Sequence, residues 1–293
     1  MSGFIPLGGQ QAEGAAWGLF FSSWTLPMCQ LLGMNCNTPT DIIFSFTGFA
    51  NRAGITGEHV DGWGIAFFDG RGVRLWVDHL PASSSPFSEL VRRYPIKASN
   101  VISHIRKATV GGVSLANCHP FMRELWGRYW VFAHNGDLFT YSYAPGAQDR
   151  FQAVGTTDSE RAFCQLLNTL AERFERFPGA TAVAAVIAEQ CQDIARFGSF
   201  NFMLSDGEYL FSHCSTKLHY LIRQHPFSHA RLSDEDLSID FATVTTPRDR
   251  VAVIVTEPLT HNEVWHPFAP GDLKVFADGQ VMFETNCLPT EKA

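Results

Sequence analysis

Four short segments of the sequence carry residue types that together can attack an amide. Cys29 supplies a thiol, Arg106 a guanidinium that can grip a carboxylate with two parallel hydrogen bonds, and Asp158 a carboxylate that can hold an ammonium group. Asn135 and Gly136 supply a side-chain amide and a backbone N–H, which are the donors of an oxyanion hole. This set describes a site for an α-amino acid whose side-chain carbonyl is attacked by a thiol.

Each of these segments also has a purely structural interpretation. A cysteine in an apolar setting is usually a small buried hydrophobe, and an arginine at the end of a strand is usually a solvated charge. Asn135-Gly136 after an alternating strand is typical of a hairpin turn. The acidic residues after Thr157 fit the start of a helix, where they complement the helix dipole. The combination and order of the segments, rather than any one of them, favour the catalytic interpretation.

The elements that position these residues follow a simple order along the chain. Strand patterns occupy the first half, two helices the middle, and strands again the last third. Thr157 is predicted to cap the first helix together with Glu160, and the second helix carries apolar residues on one face from Val183 to Ile194. The predicted strands are 63–68, 73–77, 100–106, 129–134, 202–205, 208–212, 220–223, 251–256 and the two arms of a hairpin at Asp278-Gly279. This order predicts a single α+β unit with mostly antiparallel sheets.

Composition and charge exclude several classes of protein. With 45% apolar and 17% charged residues, the 293-residue chain is not a disordered protein. A net charge of −7 argues against nucleic acid or an anionic membrane as a partner. No apolar run approaches the roughly 20 residues of a membrane span, and residues 1–28 lack the Lys or Arg of a signal peptide. Seven cysteines without a Cys-x-x-Cys pair indicate a reducing compartment, so we expect a cytoplasmic protein.

Other catalytic and metal-binding motifs are missing from the sequence. There is no Gly-x-Ser-x-Gly elbow, no Gly-x-x-x-x-Gly-Lys loop and no His-Glu-x-x-His. The pairs His213/His219 and His261/His266 have no matching cysteine or carboxylate cluster, which favours ordinary core or surface histidines. We therefore predict no metal site and no organic cofactor.

Six short motifs, in a fixed order, resemble those of the class II glutamine amidotransferases, a family of N-terminal-nucleophile (Ntn) hydrolases. They are Met-Cys29-x-Leu-Leu-Gly, Asp61-Gly-Trp-Gly64, His104-x-Arg106-x-Ala-Thr109, His119-Pro-Phe121, His134-Asn-Gly136 and Thr157-Asp158-Ser-Glu160. The resemblance extends from about Met28 to about residue 282 and is greatest to the small stand-alone bacterial YafJ type. It implies a four-layer αββα sandwich, in which two stacked antiparallel sheets lie between layers of helices.

The resemblance also implies a mechanism. Cys29 would be the first residue of the mature chain, and its thiolate would attack the side-chain amide carbon of L-glutamine while its own α-amino group serves as the base. Asn135 and the Gly136 N–H would stabilise the oxyanion, and water would then hydrolyse the γ-glutamyl thioester. The residues assigned to substrate binding are Arg106 for the α-carboxylate, Asp158 for the α-ammonium group, Thr109 and His134.

Three features depart from the family pattern. Lys107 replaces the usual aromatic after the family arginine, and Thr140 replaces an asparagine that often follows His-Asn-Gly; both are expected to affect loop packing. Cys29 is also preceded by 28 residues. We interpret residues 1–28 as a leader or a misassigned N-terminal extension, 29–285 as the amidotransferase domain and 286–293 as a tail.

Two alternatives to a glutaminase or amidotransferase stay open at this point. One is a hydrolase of γ-glutamyl peptides or amines, with a larger pocket on the amine side. The other is a non-catalytic regulatory subunit that keeps the Ntn fold, which retention of residues 1–28 would favour. In the leading interpretation a separate ammonia-accepting synthase uses the product. The sequence leaves the oligomeric state open.

Overall fold

The computed structural model describes residues 29–108, 112–146 and 149–288 of the chain, and these residues form a four-layer sandwich. In chain order, the strands and helices are β1 (Gln30–Thr40), α1 (Ile43–Asn51), β2 (Trp63–Asp69), β3 (Gly72–Asp78), α2 (Pro86–Arg93), β4 (Ala98–Ile105), β5 (Phe121–Leu125), β6 (Arg128–Asn135), α3 (Asp158–Arg173), α4 (Ala180–Ile194), β7 (Asn201–Ser205), β8 (Leu210–His213), β9 (His219–Gln224), β10 (His229–Arg231), β11 (Ser238–Asp240), β12 (Arg250–Val255), β13 (His266–Pro267), β14 (Asp272–Ala277) and β15 (Gln280–Asn286).

Two antiparallel sheets form the inner layers. The first has the spatial order β13-β9-β12-β1-β4-β2-β3, and the second has the order β15-β14-β8-β7-β6-β5. Strands β10 and β11 form a small separate ribbon. Helices α1 and α2 cover the outer face of the first sheet, and α3 and α4 cover that of the second.

Alternation of side chains along the strands builds these layers. Leu31 of β1 packs between the two sheets, whereas its neighbour Leu32 packs under α1. In β2, Ala66 points into the layer between the sheets and Phe67 into the layer under the helix. Because successive strand residues face opposite sides, strands buried on both faces are apolar throughout, as the burial of β2 shows.

Helix α3 begins at the predicted capping sequence. The Thr157 hydroxyl accepts a hydrogen bond from the Glu160 N–H at 3.2 Å, as a capping box requires. The Glu160 carboxylate does not return to Thr157. It accepts from the N–H groups of Val154 and Gly155 and pairs with Arg123. The motif therefore anchors the loop before the helix as well as the helix itself.

The structure confirms most of the predicted elements and differs from the prediction in several places. The structural alternative for Asn135-Gly136, a hairpin turn, is wrong, since β6 is followed by α3 and lies between β5 and β7 in its sheet. Helices α1 and α2 lie in the half of the chain where only strands were predicted. Among the described residues, no helix has both the length and the apolar character needed to cross a membrane.

Candidate active site

One small cavity is lined by five of the seven residues that the sequence assigned to the site. They are Cys29, Arg106, His134, Gly136 and Asp158. Asn135 is buried next to Gly136 but is not part of the lining, and Thr109 lies outside the described residues. The cavity volume is about 20 Å³, which is room for about one water molecule.

The pairing of β1 with β4 places Cys29 beside Arg106. Gln30 pairs with Ile105, so the residues just beyond them in each strand are neighbours. The Cys29 thiol donates to the carbonyl oxygen of Lys107 and accepts from the N–H of Lys107, both at 3.2 Å. Burial raises the pKa of the Cys29 thiol to about 11, against the opposing effects of the Lys107 N–H and the Arg106 charge. The thiol is therefore held in place by backbone groups and is protonated at neutral pH.

The Asp61-Gly-Trp-Gly motif fixes the backbone that carries Arg106. The Asp61 N–H donates to the Arg106 carbonyl at 3.1 Å, and the Arg106 N–H donates to the Gly62 carbonyl at 2.8 Å. The Asp61 carboxylate accepts from the Ala108 N–H at 2.8 Å. Gly64 lies so close to the next segment that a Cβ there would stand 2.3 Å from the His119 carbonyl oxygen. These contacts fix the backbone on both sides of Arg106.

Gly136 is required by a close backbone contact. Its φ is +151°, and a Cβ at this position would lie 2.0 Å from the carbonyl oxygen of Ser199. Side chains larger than hydrogen are therefore excluded, since contacts below 3.0 Å are essentially never seen for Cβ atoms. The Ser199 N–H in turn donates to the carbonyl of Asp137 at 3.1 Å, which ties the segment after β6 to the segment before β7.

The side chain of Asn135 connects the two sheets. Its Nδ2 is 3.1 Å from the hydroxyl of Thr256, which follows β12 of the first sheet. Thr256 Oγ1 also accepts from the N–H of Leu31 at 3.0 Å. The Asn135 Oδ1 is buried and has no hydrogen-bond partner in the part of the chain that the structure describes. Asn135 therefore tethers the end of β6 to the residue that follows β12.

His134 and Asp158 are linked through Ser159. His134 Nε2 is 2.9 Å from the Ser199 carbonyl, which can only accept, so Nε2 carries the proton and Nδ1 accepts from the Ser159 hydroxyl at 2.8 Å. Asp158 accepts from the N–H of Leu138 at 2.7 Å and from that of Ser159 at 2.9 Å. Burial lowers the pKa of His134. His134 is therefore a neutral ring whose two nitrogens are engaged by the protein.

Other residues at the cavity were not assigned a role from the sequence. Asp137, Ser159 and His119 line it, and Lys107 contributes backbone groups. The ring of His119 lies 4.3 Å from that of His104, and burial lowers the pKa of both histidines, so two neutral rings pack behind the site. Both histidines belong to motifs that the sequence analysis singled out, at 104–109 and 119–121, although neither was given a role there.

Comparison with known proteins gives a consistent result. A family model described as class II glutamine amidotransferases matches residues 28–293. YafJ of Escherichia coli K12, a candidate glutamine amidotransferase, is 50% identical over 254 residues, which are 86% of this chain and 99% of YafJ. The crystal structure of a candidate glutamine amidotransferase from Pseudomonas aeruginosa is 44% identical with a TM-score of 0.70, and the match covers 87% of this chain and 100% of that one.

A more distant structure shares the fold alone. The glutamine phosphoribosylpyrophosphate amidotransferase of B. subtilis is 15% identical, with a TM-score of 0.56, and the match covers 89% of this chain and 50% of that one. The predicted α+β sandwich of two stacked antiparallel sheets is confirmed. The matched family model and the close relatives show that the chain belongs to the class II glutamine amidotransferase family.

Proposed function

We propose that the protein hydrolyses the side-chain amide of L-glutamine to glutamate and ammonia through a γ-glutamyl thioester on Cys29. The observation that carries this proposal is the single cavity at which Cys29, Arg106, Gly136 and Asp158 meet, although they come from four separate segments of the chain. Membership of the family supports glutamine as the amide donor.

The thiol of Cys29 needs a base before it can attack. Burial raises its pKa to about 11, so the thiolate is scarce at neutral pH. In the proposal the base is the α-amino group of Cys29, whose ordinary pKa of about 7.7–8.0 is close to working pH. This requires a mature chain that begins at Cys29, and a family match that starts at residue 28 supports it.

Two charged side chains of the cavity lining, one basic and one acidic, suit the α-carboxylate and α-ammonium groups of an amino acid. Arg106 is buried, so a bidentate contact with the substrate α-carboxylate forms away from water, where charge-assisted hydrogen bonds are strong. Asp158 takes the α-ammonium group, and Thr109 and His134 complete the binding site. A cavity of about 20 Å³ must widen before glutamine can enter.

The oxyanion is proposed to lie between Asn135 and Gly136. Exchanging the nitrogen and oxygen of the Asn135 amide, an assignment that hydrogen bonding must decide, lets the Thr256 hydroxyl donate to Oδ1. Nδ2 then becomes the buried polar atom without a partner among the described residues. Together with the Gly136 N–H it forms a donor pair, and one such donor typically contributes about 2.7–4 kcal/mol to the activation free energy.

Proton transfers balance the two chemical steps. The α-amino group takes the thiol proton as the sulfur attacks, and returns it to the leaving nitrogen, so that ammonia departs and the thioester remains. Water then attacks the thioester, giving its proton to the same amine, and glutamate leaves as the thiol is restored. We propose that a separate synthase accepts the ammonia.

In the proposed mature protein, each part of the chain has a defined role. Residues 1–28 are absent from the mature protein, 29–285 form the amidotransferase domain, and 286–293 form a tail whose Cys287 packs into the core. The protein is proposed to work in the cytoplasm. Intact mass and N-terminal sequencing of the protein from its own cells test this: a chain starting at Cys29 is expected, and a chain that retains residues 1–28 would leave Cys29 without an amine and reject the mechanism.

Activity is tested by glutamate release from L-glutamine. Cys29→Ala is expected to abolish turnover, whereas Cys36→Ala, which removes a thiol of β1 away from the cavity, is expected to keep it. A covalent adduct of the glutamine analogue diazo-oxo-norleucine should map to Cys29. Release from γ-glutamyl dipeptides that is more than tenfold faster than from glutamine would replace a glutaminase with a γ-glutamyl hydrolase.

A further inference from the structure

Three residues with metal-binding side chains meet in the core of the second sheet. Cys191 lies in α4, His213 is the last residue of β8, and Cys287 follows β15. The two sulfur atoms and a ring nitrogen all lie within 4.8 Å of one another, and each residue is at most 3% exposed. None of them lines the cavity around Cys29. We propose that Cys191, His213 and Cys287 form a binding site for a thiophilic d10 metal ion, Zn²⁺ or Cu⁺.

The spacing of the three atoms fits this class of ion. Zn²⁺ binds cysteine sulfur at about 2.3 Å and histidine nitrogen at about 2.0–2.1 Å, so tetrahedral ligand atoms lie about 3.8 Å or less apart. The observed limit of 4.8 Å requires a contraction of about 1 Å at most, which small side-chain rotations supply. Two thiolates and an imidazole are the ligands that Zn²⁺ and Cu⁺ prefer over oxygen-seeking ions such as Mg²⁺ and Ca²⁺.

The orientation of His213 is fixed by the protein. Its Nδ1 lies 2.6 Å from the carbonyl oxygen of Phe200, which can only accept, so Nδ1 carries the proton and Nε2 keeps its lone pair. This is the outer contact that metal-binding histidines characteristically make, because it sets the tautomer and the ring angle. The ring also stacks on Phe202, with centroids 5.4 Å apart. The protein thus holds His213 in the tautomer in which Nε2 can bind a metal.

The surroundings of the three residues are apolar, so a cation bound there would strongly affect the charge state of the two cysteines. Cys191 and Cys287 belong to the core cluster that includes Leu273 and Val275. Cysteine binds a metal as thiolate, and a buried thiolate is costly unless a cation compensates its charge. A bound Zn²⁺ ion balances the charge of both thiolates, and a bound Cu⁺ ion balances the charge of one.

The site joins the end of the chain to the body of the fold. β15 is an edge strand of the second sheet, paired on one side with β14. The Cys287 N–H donates to the Gly271 carbonyl at 2.7 Å, so the segment after β15 is already held against the preceding strand. A metal bound at Cys287 would fasten this edge to α4 and β8, and its expected effect is resistance to thermal unfolding.

The test uses the full chain, freed of metal under reducing conditions, in a Cys29→Ala background that removes chelation by an N-terminal cysteine. Zn²⁺ and Cu⁺ are titrated in separate arms against a chromophoric chelator, and metal content per chain is measured after dialysis. One ion per chain and a rise in Tm are expected in at least one arm. Which arm gives the tighter binding distinguishes the two ions.

Matched variants locate the site. His213→Asn keeps a donor for the Phe200 carbonyl but removes Nε2, and we expect it and Cys287→Ser to weaken binding at least a hundredfold. Cys164→Ser changes another buried thiol of the same core cluster and is expected to bind as the parent does. Circular dichroism checks that His213→Asn is folded, and binding by this variant then decides the test even where a cysteine variant unfolds.

Two outcomes would overturn the proposal. One is a parent chain that takes up neither ion in stoichiometric amount, or that binds equally after His213→Asn. The other is a chain that loses two hydrogens on exposure to peroxide and yields a Cys191–Cys287 crosslinked peptide while binding no metal. That result would identify the pair as a disulfide-forming redox couple instead.

Discussion

Substituting Gly136 by alanine tests the close approach that shapes the candidate oxyanion site. A Cβ at this position would stand 2.0 Å from the Ser199 carbonyl oxygen, so the two segments must separate by at least about 1 Å to reach the 3.0 Å limit of real contacts. The same carbonyl accepts from His134 Nε2. The displacement therefore disturbs a buried hydrogen bond as well as the backbone.

Two effects are expected to lower the free energy of unfolding of Gly136→Ala. An L side chain at positive φ costs about 1–3 kcal/mol, and overpacking a buried contact typically adds about 1–3 kcal/mol. Gly179→Ala separates them, because Gly179 has a φ of +97° but no atom within 4 Å of the new Cβ. We expect Gly136→Ala to lower the free energy of unfolding by about 1–3 kcal/mol more than Gly179→Ala does.

The assay is equilibrium unfolding in urea, with circular dichroism and tryptophan fluorescence as independent probes. Glutamate release is measured beside it at a temperature at which both variants are folded. Loss of the Gly136 N–H position is expected to reduce kcat about 10²–10³-fold, and Gly179→Ala to leave it unchanged. A difference in stability below about 0.5 kcal/mol, the range of ordinary surface substitutions, would refute the close contact at Ser199 whatever the activity.

Three further predictions concern Arg52, Arg106 and Cys29. Arg52→Ala removes a buried pair with Asp234 at 2.7 Å and hydrogen bonds to the carbonyls of Glu257 and Pro258, and should lower the free energy of unfolding in urea by about 3–5 kcal/mol. Its control is Arg74→Ala, at an exposed pair with Asp69, which should lower it by no more than about 1 kcal/mol. Equal effects of the two variants would contradict the burial argument. In a Cys29→Ala background, calorimetry should show that Arg106→Ala weakens glutamine binding by about 1.5–3 kcal/mol, and unchanged affinity would remove Arg106 from its assigned role. Alkylation of Cys29 by iodoacetamide should keep rising with pH towards the thiol pKa of about 11 when residue 28 is attached. In a chain that starts at Cys29 it should level off above about pH 8, where the α-amine is neutral and takes the thiol proton; identical profiles would exclude the amine as base.

The elements that the sequence predicted are those with a strong local signal. Helix α3 has a capping residue at Thr157 and apolar residues at helical spacing, and the hairpin at Asp278-Gly279 has positive φ at both turn residues. Helix α1 was missed because eight of its nine residues are buried, so it has no polar face to give a helical period. Its isoleucine and phenylalanines resemble those of a buried strand.

The interpretation of Asn135-Gly136 as a hairpin turn is wrong for a different reason. The dipeptide has turn chemistry, but the strand that pairs with β6 on the far side, β7, comes after two helices. The glycine serves a contact with Ser199, which lies far away in the sequence. The local sequence correctly indicated a residue with positive φ at position 136, but it wrongly indicated that the next segment of the chain pairs with β6.

At the candidate site, residue types indicate the side-chain groups but not the backbone groups. Cys29, Arg106 and Asp158, which were selected for their residue types, line one cavity. The Lys107 backbone groups that hold the thiol carry no signal in residue type, since any residue but proline offers them. The group of Cys191, His213 and Cys287 was also hidden, because the three are distant in sequence and only the stacking of α4 on the sheet brings them together.

The position of the candidate site explains why two sheets are needed to build it. Cys29 and Arg106 are attached to strands of the first sheet, whereas Asn135 and Gly136 end a strand of the second. The distance from the proposed nucleophile to the proposed oxyanion donors is therefore set by how the sheets pack, and not within any one strand. Thr256 connects the two parts directly, since its hydroxyl contacts both the Leu31 N–H beside Cys29 and the Asn135 amide. The Cys29 thiol and the Asn135-Gly136 segment, carried by different sheets, keep their spacing only while that inner layer stays tightly packed. Apolar burial far from the cavity is therefore also a condition of the proposed chemistry.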